Sequence, residues 1–491
     1  PLPLQLGTPT TVPPQFSALQ DPPLDLVRGR LTVLHHFSDL VYSSWRLLNL
    51  LPKKDRCGTE CGIPGLIEGP LRNLLSPRVY TLPMVRSIGK TMVQGKNCGP
   101  QITVQRLSTR GKKCKPVYLQ IAQQVVQLKA EDLRLPSRAW KVKLVGEGAD
   151  DAGGVFDDTI TEMCQELESG VVPLLTPTPN AKNESGNNRD RFLLNPGLVG
   201  ESNAPLWKFL GILFGVAIRT KKPLDLHLAP CIWKLVAGME LKVEDLEEVD
   251  HIYIQSLRGI KDLHENGINE TNFHEFIPID CFEGQSSAGL MVQVVAGGKN
   301  IPLHFHNRLL YVDTVLNYRL HEWDKLISWI REGMSWIIPV PLLTLLTAQT
   351  LEQMVCGTAE VSIDILRKVV RYRGMDENHV LIKWFWTILE DFTNEERIQF
   401  LRFISGRTRL PSNPADITQR FQIMTSDRGL DSLPTSQTCF FQLRLPMYSS
   451  IEVMAERLRY AIHHCRSIDM DNYMLTRNAE GPLDSDVELM D

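Results

Sequence analysis

Leu433-Pro434-Thr435-Ser436-Gln437-Thr438-Cys439-Phe440-Phe441-Gln442-Leu443-Arg444-Leu445-Pro446 sets the reading of the whole chain. Pro434 followed by small hydroxyl residues predicts a loop, and Phe441, Leu443 and Leu445 alternating with Gln442 and Arg444 predict a half-buried strand. Cys439 then stands where an irregular segment enters a sheet, held by packing behind it while its sulfur meets solvent or a partner. That placement suits a nucleophile, although a lone cysteine is more often inert packing.

The longer string separates the two readings. Leu-Pro-Thr-Ser-x-Thr-Cys-Phe from Leu433, then Leu-x-Leu-Pro-x-Tyr closing at Tyr448, then an amphipathic helix near the chain end, resembles the active-site region of HECT-type ubiquitin ligases. Upstream, a predicted strand from Trp140 to Val145 runs through a glycine turn into a helix whose Val155, Phe156, Ile160, Met163 and Leu167 share one face. This stretch is similar to the opening of the family's domain: it keeps Glu147, Asp151, Gly153, Gly154 and Val155, and departs at Ala149, where Gly148 is expected to take the positive φ instead. The turn lacks Gly-Lys-Ser/Thr and carries Asp150 and Asp151, so it does not read as a phosphate cradle. The resemblance runs from Trp140 to Asp471, and the Ser467–Asp471 string with its extended tail is most like the large HERC-type ligases.

What the resemblance implies is an α+β, bilobal fold. A larger, mainly helical N-lobe (131–357) would include a donor-enzyme-binding subdomain (240–319), a hinge would follow at 358–360, and a smaller α/β C-lobe (361–475) would carry the catalytic cysteine. Gly357, Thr358, Ala359 and Glu360 supply the hinge. Within the subdomain, Tyr253, Leu257, Phe273 and Tyr311 fall on the groove positions that receive a ubiquitin-conjugating enzyme; core packing is the competing reading for all four. Cys439 is the implied thioester nucleophile, with Thr438 and Phe440 shaping its pocket.

Outside the resemblance, 1–30 is rich in proline and reads as linker, 31–130 as a helical and irregular region, and 476–491 as a solvated acidic tail. Leu34, Phe37, Leu40, Val41, Trp45, Leu48 and Leu51 predict an amphipathic helix from Leu31 to Leu51. Residues 169–189 read as a long surface loop, and Val292–Val295 with Ile301–Phe305 as a hairpin turning through Gly297–Asn300. In the C-lobe, Leu381, Trp384, Phe385, Ile388 and Phe392 share a helical face. Thr393 with Glu396 makes a capping box for the next helix, Gly406 ends it, Phe421 and Ile423 share a strand face, and Ser449 with Glu452 caps the last helix.

The composition excludes several classes of function. Hydrophobic residues make up 43% and charged residues 22%, and the net charge of −4 gives no overall pull toward nucleic acid or anionic membrane. The basic run from Gln105 to Lys115 lacks aromatic residues for base stacking. The apolar runs fall short of the roughly 20 residues of a membrane span. Ten cysteines spread thinly indicate a reducing, cytoplasmic setting, and Cys57, Cys61, Cys98 and Cys114 lack the paired short spacing of structural zinc, so neither metal nor cofactor is expected. The two Asn-x-Ser/Thr matches, at Asn183 and Asn269, are discounted on the same ground. The start at Pro1 rather than methionine reads as a piece of a longer polypeptide.

The chemistry needs little from its surroundings at first. A thiol with pKa about 8.5 is already a competent nucleophile toward a thioester, whereas attack by a lysine amine, pKa about 10.4, requires proton removal. Many members of the family carry histidine two residues before the cysteine. Here Gln437 stands there and cannot take a proton, and His463 and His464 on the last helix are not assigned as bases. Ile468 replaces the family's terminal phenylalanine. The expected partners are a charged ubiquitin-conjugating enzyme, ubiquitin and protein substrates. A cysteine hydrolase of deubiquitinating type, needing a histidine beside Cys439, and a transfer-inactive binding module are the alternatives.

Overall fold

The computed structural model of the chain describes residues 23–48, 70–91, 93, 99–106, 114–136, 138–146, 154–411, 413–417 and 419–464. Outside the described residues lie most of the proline-rich stretch, Cys57, Cys61 and Cys98, the basic run 107–113, the glycine turn 147–153, Cys465, Ser467–Asp471 and the acidic tail. Two compact units divide the chain, Pro1–Lys90 with Pro341–Thr347, and Thr91–Val340 with Ala348–Asp491.

In the first unit, helix α1 (Leu24–Leu48) packs on α2 (Arg78–Lys90). Leu24–Arg30 are thus helical, where the sequence reads linker; Pro23 just ahead and Asp25 in the first turn make a favourable helix start. The inner face also differs from expectation. Leu40 is 65% exposed, while Ser38 and Val41 are buried, because the covered stripe follows Leu34, Phe37, Ser38 and Val41 at helical spacing and Leu40 falls off it. The Ser38 hydroxyl accepts the Ser76 N–H at 3.0 Å, and Arg72 donates to the Leu346 carbonyl at 3.1 Å.

The second unit opens with strands β1 (Gln101–Val104) and β2 (Lys141–Leu144), paired in parallel, and helices α3 (Val117–Val125) and α4 (Gly154–Glu168). The expected apolar face of α4 is buried throughout. β3 (Leu175–Pro177) and α5 (Pro179–Lys182) lie within the stretch read as surface loop, and β4 (Phe192–Leu194), which pairs with β3, follows it. Asn180 there is 1% exposed: its amide donates to the Asn187 and Glu248 carbonyls and its oxygen accepts the His251 N–H, so a polar side chain holds the chain down.

The centre of this unit is α6 (Ala204–Thr220), apolar on nearly every face, followed by α7 (Pro230–Val236), α8 (Val243–Glu247), α9 (His251–Lys261) and α10 (Phe273–Phe276). After β5 (Glu283–Gln285) and β6 (Met291–Gln293) come α11 (Arg308–His321), α12 (Asp324–Ser335) and α13 (Ala348–Cys356). Helices α6 and α12 approach each other at two glycines. A Cβ on Gly211 would stand 1.9 Å from the Ile330 carbonyl oxygen, and one on Gly333 at the same distance from that of Lys208.

The hairpin of this region is β5 with β6, closed by Ser286–Leu290 around Gly289 at φ +86°, and not the pair read from Val292 and Ile301. Gly298–Asn300 form a 3-10 turn, and Pro302 only bridges Cys281, because Phe282 N–H bonds back to Gly298 and Ile301 and folds that segment under β5.

The remaining elements form one α/β layer: α14 (Ile363–Val369), β7 (Val370–Arg373), α15 (Val380–Asp391), α16 (Asn394–Ser405), β8 (Phe421–Thr425), β9 (Thr435–Gln437), β10 (Gln442–Leu445) and α17 (Ile451–His464). The four-stranded sheet runs β7-β8-β10-β9, with β9 antiparallel at its edge. Phe385, Phe400, Phe421, Leu443, Met454 and Leu458 lie in its core. Thr393, Glu396 and Gly406 cap α16 as the sequence predicts. At α17 the cap is Ser450, which accepts the Val453 N–H, whereas Ser449 is drawn away to the Asp431 carboxylate.

Candidate active site

Thr435–Gln437, read as loop, is strand β9: Ser436 lies opposite Leu443 and Gln437 opposite Gln442. Thr438–Phe440 then forms a 3-10 turn between β9 and β10, so Cys439 is carried at the tip of a tight connection rather than in an open loop. The description of Cys439 is of its backbone; its side chain lies outside the described residues.

Phe441 ends the turn in the left-handed region, at φ 49° and ψ 53°. For a bulky side chain this conformation costs on the order of 1–3 kcal/mol and persists only where the surroundings enforce it. Here they do. The Phe441 N–H closes the turn onto the Thr438 carbonyl at 3.2 Å, its own carbonyl accepts the Gln422 N–H at 2.9 Å, and its ring, 2% exposed, packs 5.2 Å from Phe421. The neighbouring Phe440 is left 57% exposed beside Cys439, and Thr438 is half-buried.

Gln437 is exposed and its carboxamide oxygen accepts from Arg444 at 3.4 Å. The rings of His463 and His464 turn back on their own helix, toward the Arg459 and Tyr460 carbonyls. Other thiols compete poorly: burial pushes Cys231 and Cys356 up to about 12 and Cys164 well above its usual range. Cys281 is raised as well, by desolvation and by Glu283 beside it.

The Cys439 turn lies against α16 and α4. Just beyond α16, Arg407 Nε stands 2.8 Å from Asp157 Oδ2 on α4, the Gly406 carbonyl accepts from Thr161 Oγ1 at 2.9 Å, and Arg409 Nε reaches Asp225 Oδ1 at 2.7 Å. Asp157 is 6% exposed and also receives Lys222 Nζ at 2.6 Å. Burial pushes its carboxyl pKa up, but Arg407 and Lys222 outweigh that and hold it below the usual value. Lys222 is itself pushed down, by burial first and by Arg407, against the pull of Asp157. Asp157 is thus paired with two cations at once, Lys222 and Arg407. Sequence reading missed Arg407, Arg409 and Asp157; the only signal was charge in the turn after α16 and on the inner face of α4.

The segment proposed as hinge starts at Gly357, which has φ +65° and leaves no room for a side chain: a Cβ there would meet the Leu410 carbonyl at 2.2 Å. Thr358 N–H bonds that same carbonyl at 3.3 Å, and the Ala359 carbonyl accepts from Asn394 at 3.1 Å. Glu360 is exposed and its carbonyl accepts from Thr358 Oγ1.

Among the expected groove residues, Leu257, Phe273 and Tyr311 are at most 1% exposed and face the interior of their subdomain. Tyr311 packs edge-on to Phe282 and donates to the Glu283 carbonyl at 2.8 Å, and Phe273 meets Phe305. Tyr253 is half-buried, its hydroxyl accepting the Gln285 N–H. Leu257, Phe273 and Tyr311 thus pack inward, with Tyr253 partly exposed at their edge. The exposed apolar side chains of this region include Phe276, Leu309 and Leu310, which helical position leaves outside when Phe273 and Tyr311 turn inward. Further along α11, Arg319, fully buried, binds Asp250 at 2.8 Å and Glu322 at 3.1 Å.

Among the described residues no group of three or more His, Cys, Asp and Glu side chains is arranged to hold a metal, and no helix is long and apolar enough to cross a membrane.

A HECT-domain (ubiquitin-transferase) family model matches residues 161–471. The chain is 39% identical over 480 residues to the E3 ubiquitin-protein ligase HERC2 of Mus musculus and to that of Homo sapiens, a stretch covering 95% of this chain and 10% of either relative. It is 28% identical over 411 residues to the probable E3 ubiquitin-protein ligase HECTD4 of Homo sapiens, covering 75% of this chain and 10% of that one. The chain thus spans about a tenth of the length of these curated relatives. The chain belongs to the HECT-domain (ubiquitin-transferase) family.

Proposed function

We propose that this chain is the catalytic region of a ubiquitin-protein ligase, which takes ubiquitin from a conjugating enzyme as a thioester on Cys439 and passes it to a substrate lysine. One observation carries the reading: Cys439 falls inside the family match and occupies a tight turn whose backbone is locked by Phe441 and the β9–β10 pairing. In the first step the Cys439 thiolate attacks the carbonyl carbon of the donor thioester, the donor's thiolate leaves, and the exchange is close to balanced. In the second, a neutral lysine amine attacks the carbonyl carbon of the Cys439 thioester, the C–S bond breaks as the amide forms, and the proton lost from nitrogen passes to the departing sulfur or to water.

Thr438 and the exposed Phe440 shape the approach to the sulfur. The division into a large lobe (131–357), a hinge (358–360) and a small lobe (361–475) belongs to the same proposal, and the positive φ of Gly357 supports a joint there. The donor enzyme is assigned to residues 240–319, where Tyr253, Leu257, Phe273 and Tyr311 support a surface that Phe276, Leu309 and Leu310 present. Ubiquitin and protein substrates complete the partners, and the thinly spread cysteines support a cytoplasmic setting.

The test is to mix the chain with donor enzyme charged with ubiquitin. A reductant-sensitive adduct is expected, absent in Cys439→Ala and converted to a reductant-resistant ester in Cys439→Ser. Release of free ubiquitin from conjugates without donor would instead mark a hydrolase, and donor binding without any adduct a transfer-inactive module.

A further inference from the structure

We propose that Arg407 and Arg409 form a latch between the two lobes, closed when ubiquitin passes from Cys439 to lysine and open when Cys439 is loaded. This rests on the thioester reading above and adds two positioning residues to it.

Both arginines lie in the short segment that leaves α16, and each enters a different socket of the large lobe. Arg407 meets Asp157 on α4. Arg409 meets Asp225, the Cys356 carbonyl at 3.5 Å, and His227 Nε2 at 2.6 Å. A guanidinium can only donate, so Nε2 must be bare and the imidazole proton sits on Nδ1, which points at the Glu168 carboxylate 3.1 Å away. Glu168 also receives the His227 backbone N–H, so this socket is built before the arginine arrives.

The contact is of a kind that orients without gluing. Lys222 already balances Asp157 from within the large lobe, so Arg407 is an added cation brought by the other lobe. Buried ion pairs gain little net stability, because desolvation offsets attraction, yet a misplaced partner leaves an uncompensated buried charge. Such a dock is specific and reversible. It also bears on the sulfur, because the same α4 and α16 flank the Cys439 turn. The donor-binding elements proposed at 240–319 are separate from these two helices. Two transfer steps need two placements of the turn that carries Cys439, and the latched placement holds that turn against α4.

The experiment uses the full 491-residue chain and three variants: Arg407→Ala/Arg409→Ala, Arg407→Lys/Arg409→Lys and Cys439→Ala. Single-turnover loading from charged donor and discharge of the pre-loaded chain to lysine are timed separately, and small-angle X-ray scattering reports lobe opening. The double alanine is expected to load at least as fast as the unaltered chain, discharge about tenfold more slowly and show a larger radius of gyration. The double lysine keeps the charges and recovers most of the discharge rate. Equal loss of both steps, or no change in either, overturns the latch. Absence of any Cys439-dependent adduct on the unaltered chain overturns the thioester reading instead.

Discussion

The ring of Phe441 packs 5.2 Å from that of Phe421 while its backbone, at φ 49°, turns the chain so that Phe440 faces outward. One buried ring therefore holds the shape of the turn that carries Cys439.

Phe441→Ala should cost about 3–5 kcal/mol, the range for emptying a buried phenylalanine site, read as a lowered urea midpoint, and should reduce adduct formation on Cys439. Phe440→Ala, at a position 57% exposed, should leave stability within about 0.5 kcal/mol and still slow transfer. Equal destabilisation by the two would contradict this division of labour.

Gly211→Ala puts a methyl 1.9 Å from the Ile330 carbonyl oxygen, backbone that cannot rotate aside. The helices must separate, so thermal unfolding should come earlier, at a cost of about 1–3 kcal/mol or more. Gly259→Ala, where nothing lies within 4 Å, is the control and should be neutral or stabilising.

Arg319→Ala strands Asp250 and Glu322 as buried carboxylates. A loss of about 3–5 kcal/mol is expected, with weakened donor-enzyme binding measured by titration. Burial already raises the Glu322 carboxyl against the opposing pull of Arg319, so removing the arginine should move it further up and make the variant gain stability on mild acidification relative to the unaltered chain.

Asp157 gives the opposite sign. Its folded pKa lies below the ordinary 3.8, so the stabilisation it brings is complete above that value and is lost as pH falls through the folded one. Arg407→Gln removes the main cause of the depression and leaves burial to act. Its stability should begin to fall at a higher pH than that of the unaltered chain, by roughly 2 kcal/mol at neutrality, less than the 3–5 of a fully broken buried pair because Lys222 remains. Urea titrations across the acid range check both the size and the direction.

The sequence by itself determined what short-range chemistry controls. The capping box of Thr393 and Glu396, the stop at Gly406, the buried face of α4 and the motif around Cys439 were all legible, because each depends on residues within a few positions of one another. Only the tertiary structure decided the rest. Thr435–Gln437 became a strand because β10 offered it an open edge, Ser449 lost the cap to Ser450 because Asp431 claimed it, and Tyr311 turned inward onto Phe282. The ion pairs from Arg407 to Asp157 and from Arg409 to Asp225 join residues far apart in the chain, and no local pattern encodes which distant charge will be desolvated beside which.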